Sequence, residues 1–139
     1  RLAGHRFPDT LSVTDDIALA TQNDILLLAV PMQQLRSLVQ QYKTIFQGKT
    51  LVACCKGIEL NSGAGPCDIL GEYAEKIALL TGPSFAHDIA KGLPTALVLA
   101  CDDDTLGRHL QETISTQPCG FIPALTWLAP NWAERSSML

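Results

Sequence analysis

The stretch DILLLAVP, Asp24 to Pro31, decides the reading of the fold. From Ile25 to Val30 it carries no polar side chain, so it does not alternate as a half-solvated strand would. A nearly continuous apolar run of this length, closed by a proline, is the pattern of a strand covered on both faces in a parallel sheet. Three further runs repeat it: Thr50 to Cys55 (TLVACC), Ile77 to Thr81 (IALLT) and Thr95 to Ala100 (TALVLA). Between the first two, Leu35, Leu38, Val39, Tyr42, Ile45 and Phe46 fall at spacings of three and four, which predicts one helix over Gln33 to Phe46. A Gly-rich turn at Ser62 to Pro66 precedes a helix expected to reach about Ala74. After the acids Asp102, Asp103 and Asp104, a stripe of Leu106, Leu110 and Ile114 predicts another, with its negative charges where the helix dipole favours them. Strand and helix alternating at this rhythm define an α/β class, a doubly wound parallel sheet.

Bulk properties narrow the function. The 139 residues are 47% hydrophobic and 17% charged, as expected for a single folded domain. A formal charge of −4 offers no basic face, which argues against a nucleic-acid partner. The longest apolar runs are far too short for a membrane span, and no leader-like segment opens the chain. Arg1 at the start hints that the chain begins within a longer gene. Cys54, Cys55, Cys67, Cys101 and Cys119 are odd in number and show no CxxC spacing, so neither a disulfide framework nor a metal site is expected. They read as reduced thiols acting as small apolar side chains in the cytoplasm.

In open parallel sheets, ligands bind outside the carboxyl ends of the strands. Here those ends are Val30-Pro31, Lys56-Gly57 and Gly82-Pro83-Ser84. Lys56 directly follows an apolar strand, so its ammonium can reach a phosphate or developing oxyanion above the sheet; equally, a lysine at a strand end can simply extend into solvent. Gly82-Pro83-Ser84-Phe85-Ala86 turns from strand to helix. Ser84 is a plausible N-cap, and the free amides beside it suit either an anion or an ordinary helix start. Gly92, before Leu93-Pro94, fits a helix stop. His5, His87 and His109 are scattered on polar segments and read as surface residues. There is no GxSxG elbow, and Gly63-Ala64-Gly65 is too short for a GxGxxG dinucleotide loop.

Four stretches together resemble the bacterial-type NAD(P)-dependent glycerol-3-phosphate dehydrogenase family: RLAGHRFPDTLSVTDDI (Arg1 to Ile17), DILLLAVP, CCKGIEL (Cys54 to Leu60) and LTGPSFAHDIAKGLPTALVLA (Leu80 to Ala100). GPSFA followed by a GLPTA-type strand is the most specific, and it argues against other reductases of similar fold such as ketopantoate or hydroxyacid reductases. The resemblance covers about residues 1 to 117. His87-Asp88 stands where members more often have Lys-Glu, a mild departure on a helix surface. The resemblance implies a Rossmann-like domain with NAD or NADP as cofactor. The reaction it implies is interconversion of sn-glycerol 3-phosphate and dihydroxyacetone phosphate, in phospholipid synthesis. It places Lys56, Gly82 and Ser84 at the substrate and Lys56, Ala86, Val30 and Pro31 at the cofactor. It also implies a homodimer for the full-length enzyme.

On that pattern the domain is expected to be incomplete. The first strand with its Gly-rich loop would precede Arg1, and a helical domain bearing the catalytic lysine would follow residue 117. No residue of the chain replaces that lysine, so the fragment is expected to be inactive. The competing expectation is a non-catalytic Rossmann-fold remnant or partner-binding module. Residues 118 to 139, ending CGFIPALTWLAPNWAERSSML, show no helix or strand period. Begun one base early, the codons for Asn131-Trp132-Ala133 force Leu then Gly, and their neighbours permit the rest of ELGGALK, the family's catalytic segment. This tail is therefore expected to be the family sequence read one nucleotide out of frame, slipping near Pro118 to Gly120, and to pack poorly against a core it never evolved with.

Overall fold

The structure, a computed structural model, describes residues 9–82, 86–91, 93, 95–115 and 119–125. In chain order the elements are α1 (Ile17–Ala20), β1 (Ile25–Leu28), α2 (Met32–Gln41), α3 (Lys43–Phe46), β2 (Thr50–Ala53), α4 (Pro66–Gly71), β3 (Lys76–Thr81), α5 (Ala86–Ala90), β4 (Thr95–Cys101), α6 (Asp104–Ile114) and β5 (Cys119–Leu125). The five strands form one sheet in the order β1-β2-β3-β4-β5.

The apolar runs become strands because both sheet faces are used. Leu51 and Ala53 of β2 face α2, α3 and α4, in a core with Leu26, Leu28, Leu35, Val39, Phe46, Ile69 and Leu70. Val52, between them, faces the opposite core with Ala78, Leu99, Cys101 and Leu110. All four residues of β2 are therefore buried. The flank of the sheet is less covered, since Leu27 of β1 is 51% exposed.

Helix boundaries follow local chemistry. Pro66 opens α4 where a missing N–H is harmless, and Asp68 accepts the Gly65 amide at 2.8 Å. Asp103 caps α6 by accepting from the amides of Thr105 and Leu106 at 2.8 and 3.1 Å. Gly107 lets α6 lie close on the sheet, because a Cβ there would stand 3.5 Å from that of Cys101.

The α/β, Rossmann-like architecture is present, with three departures from the expected details. The sheet is mixed: β1, β2 and β3 are parallel, but β4 runs antiparallel to β3, and β5 runs parallel to β4. The connector 82–94 carries only the five-residue α5 as helix among its described residues, too short to cross the sheet and return to the starting end. The helix expected over Gln33 to Phe46 is divided at Tyr42, whose φ of −113° leaves helical geometry. Hydrogen bonding continues across the break, from the Tyr42 amide to Leu38 and the Phe46 amide to Tyr42, so Phe46 still reaches the core. Finally, Cys119–Leu125, expected to lack a strand, pairs along its whole length with β4. An edge strand tolerates Pro123, which a central strand would not. Residues 126–139, and with them the ELGGALK reading, lie outside the described residues.

Candidate functional site

Parallel register brings the carboxyl ends of three strands to one edge, with Leu28 beside Ala53 and Ala53 beside Leu79. The Cys54 amide extends this pairing to the Leu28 carbonyl at 3.0 Å. The chain leaves the sheet here at Val30-Pro31, Cys55-Lys56-Gly57 and Thr81-Gly82.

Two of these corners touch. The exposed Lys56 donates from Nζ to the Gly82 carbonyl oxygen at 2.8 Å, joining the end of β2 to the end of β3. An ammonium has three donors, so two remain for a ligand. Its partner is a neutral carbonyl, so among the described residues no carboxylate balances the charge, which suits it to an anion. Gly57 makes the turn at φ +97°, a backbone conformation that side chains disfavour.

Val30 is half-buried against the α2 core, and Pro31 is exposed at the N-cap of α2 on the same edge. Gly82 is half-buried. Ala86 begins α5. Ser84 lies outside the described residues.

The structure adds a polar network that sequence reasoning missed. Gln33, on the first turn of α2, donates to the Ile58 carbonyl at 2.8 Å and accepts the Leu60 amide at 3.0 Å. One turn on, the Arg36 guanidinium donates from Nε to both carboxylate oxygens of Glu59 at 3.0 Å, and from Nη1 to Glu72 at 2.7 Å. The Ser62 hydroxyl donates to the same Glu59 carboxylate. Glu59 is buried, so its charge needs these partners. The Ser62 and Arg36 hydrogen bonds hold its carboxyl below the usual glutamate range, against the opposing effect of burial. Arg36 is correspondingly raised, first by Glu72 and then by Glu59. Gln33 and Arg36 lie three apart on one helix face, but their partners lie 23 to 36 residues away, so no local signal exposed the pairing.

Neighbouring thiols are not nucleophiles in waiting. Burial raises Cys54, Cys55 and Cys101, and burial reinforced by the Asp68 charge pushes Cys67 up to about 11. Among the described residues no cluster of three metal-ligating side chains forms, and no helix is long and apolar enough to cross a membrane. A cavity of about 650 Å³ lies at the opposite edge, under α6, lined by Asp24, Leu27, Lys76 and His109 among others. It includes none of the residues at the carboxyl edge.

The fold and this edge define an α/β, Rossmann-like domain whose carboxyl-edge corners gather an exposed cation, a tight glycine turn and a helix start. Comparison with known proteins identifies which such family. A family model for the N-terminus of NAD-dependent glycerol-3-phosphate dehydrogenase matches residues 1–107, and the chain belongs to that family. It is 57% identical over 118 residues to the glycerol-3-phosphate dehydrogenase [NAD(P)+] of Ruegeria sp. and 51% identical over 117 residues to that of Roseobacter denitrificans. These alignments cover 84% and 83% of the chain, but the chain spans only 37% of either relative. Among solved structures, glycerol-3-phosphate dehydrogenase from Coxiella burnetii superposes with a TM-score of 0.79 at 22% identity, over 88% of this chain and 38% of that one, a likeness of fold.

Proposed function

We propose that residues 1–117 form the central and C-terminal part of an NAD(P)-binding domain. On this reading it serves the interconversion of sn-glycerol 3-phosphate and dihydroxyacetone phosphate in the cytoplasm, within an enzyme that is a homodimer at full length. Residues 118–139 form an atypical tail. The Lys56–Gly82 contact is the observation that supports this best, since it joins the two corners where the family resemblance places the substrate.

Lys56, Gly82 and Ser84 hold the phosphorylated substrate, and Val30, Pro31, Lys56 and Ala86 line the cofactor. The residues fit such a ligand pair because the exposed Lys56 at these corners has spare donors and, among the described residues, no carboxylate partner. The nicotinamide, when bound, supplies or accepts the hydride. The chain's own contribution is positioning: Lys56 balances the negative charge of the phosphate and of the carbonyl oxygen as electrons move onto it. The proton at that oxygen belongs to the lysine that the family carries in its helical domain.

Urea unfolding of the chain with and without ligand tests this. Glycerol 3-phosphate, NADH or NADPH at a hundredfold excess over its dissociation constant stabilises the fold by about 2.7 kcal/mol. Glycerol without phosphate gives no shift, and Lys56→Met abolishes the effect of glycerol 3-phosphate. Absence of stabilisation by all three ligands at millimolar concentration overturns the reading in favour of a remnant without a ligand site.

A further inference from the structure

The loop from Lys56 to Gly65 is long, and its shape is not set by the sheet. Its internal hydrogen bonds run from the Glu59 amide to the Ala64 carbonyl at 2.9 Å and from the Gly63 amide to the Glu59 carbonyl at 2.8 Å. These fold the loop on itself without fixing where it lies. Its position relative to the rest of the domain comes from α2, through Gln33 on either side of Glu59 and Arg36 on the Glu59 carboxylate itself. Three consecutive loop residues, Ile58, Glu59 and Leu60, are thus gripped by two side chains one helical turn apart. Two residues before the grip, Lys56 reaches the Gly82 carbonyl.

The exposures are unusual for a merely packed loop. Ile58 and Leu60 are 56% and 81% exposed, so apolar burial of these side chains does not hold the segment down. Their backbone groups are held by Gln33 instead, and the buried group between them is a charge. We infer that Gln33 and Arg36 are positioning residues: by clamping Ile58-Glu59-Leu60 onto α2 they hold the Lys56 ammonium at the end of β3, ready for its anionic ligand. This rests on Lys56 being a ligand contact, as proposed above. It adds a coupling between the Val30-Pro31 corner, where α2 begins, and the Lys56 corner, so that neither side of the site moves independently.

NMR of the chain carrying isotope-labelled, unmodified lysine separates this from a structural role. Gln33→Ala removes both backbone contacts at an exposed position and leaves the fold intact; Gln34→Ala, also exposed on α2, is the control. In Gln33→Ala, amide exchange at Leu60 rises about tenfold, as loss of one hydrogen bond implies, while exchange within β1, β2 and β3 is unchanged. The Lys56 Cε resonance moves toward the position of a lysine that has lost its carbonyl partner. Arg36→Leu does the same more strongly, and Arg36→Lys restores it incompletely, because one ammonium nitrogen cannot hold Glu59 and Glu72 together as Nε and Nη1 do. Where the chain binds glycerol 3-phosphate, Gln33→Ala weakens that binding at least severalfold while the chain stays folded at the assay temperature. A Lys56 resonance unmoved in Gln33→Ala, despite faster Leu60 exchange, overturns the inference. Failure of the unmutated chain to bind glycerol 3-phosphate overturns the ligand reading instead, and the Lys56 resonance still decides the clamp.

Discussion

Replacing Gly57 by alanine tests the geometry of the Lys56 corner through backbone strain alone. A Cβ on Gly57 would meet no atom within 4 Å, so no clash contributes. What remains is the φ of +97°, where an L-residue is strained by about 1–3 kcal/mol. Alanine also stiffens the unfolded chain, offsetting about 0.4–1 kcal/mol of that. The net expectation is a loss of about 1–2 kcal/mol. Gly71→Ala is the matched opposite: its Cβ would sit 3.9 Å from Ile77 Cδ1, an ordinary contact, and its backbone is not left-handed. There, at the end of α4, alanine should gain about 0.5–1 kcal/mol. The two single variants should therefore differ by about 1.5–3 kcal/mol in urea unfolding, with equal slopes because neither changes the surface exposed. By calorimetry the midpoints separate by about 3–12 °C at this chain length. Gly57→Ala as stable as the unmutated chain would refute the positive φ, and with it the turn that aims Lys56 at Gly82. Both variants falling together would show instead that the cost is general to glycine sites.

Three further outcomes follow from other parts of the structure. Glu59 titrates below the usual glutamate range, so the folded chain binds fewer protons than the unfolded one near pH 4. Its contribution is complete above the unfolded value of about 4.3 and is lost as pH falls through the lower folded value. Glu59→Gln should thus flatten the acid limb of a stability–pH curve, and an unchanged limb would show that the Ser62 and Arg36 bonds do not persist in solution. Cys67 is shifted the other way, up to about 11. Its stabilisation is full below the unfolded thiol value of about 8.5 and declines as pH rises toward 11, so Cys67→Ala should lessen alkaline destabilisation. At pH 8 the half-buried Cys67 should react more slowly with a disulfide reagent in the native chain than in the unfolded one; equal rates would contradict its raised thiol. Asp103→Ala should cost about 0.5–2 kcal/mol by releasing the amides of Thr105 and Leu106, read by urea unfolding, and no loss would mean that water caps α6 equally well.

The architecture was legible because it rests on burial, which composition records directly. Leu26, Leu28, Leu51, Val52 and Ala53 lie inside whichever neighbour each strand takes, so an unbroken apolar run announces them. Strand direction has no such record. Thr95 to Ala100 reads the same parallel or antiparallel, and the length of the 82–94 connector, rather than the strand, decides that β4 runs against β3. The strand Cys119–Leu125 escaped for a related reason. Backbone pairing with the open edge of β4 needs no apolar period, and Pro123 disguised it.

The site divides along the same physical line. That Lys56 and Gly82 share an edge follows from strand order and the rule that ligands collect at strand ends, so it could be read from the runs themselves. That they touch could not, because a 2.8 Å bond depends on where the Lys56–Gly65 loop lies. A loop with Ile58 and Leu60 largely exposed cannot be placed by hydrophobic pattern. It is placed by directional bonds, which act only between groups already brought close. Their sequence trace is a glutamine and an arginine three apart on a helix that has many polar residues. Burial is therefore sufficient to bring the corners to one edge, while the alignment of Lys56 needs α2. A substitution at Gln33 or Arg36 should disturb the site before it disturbs the sheet.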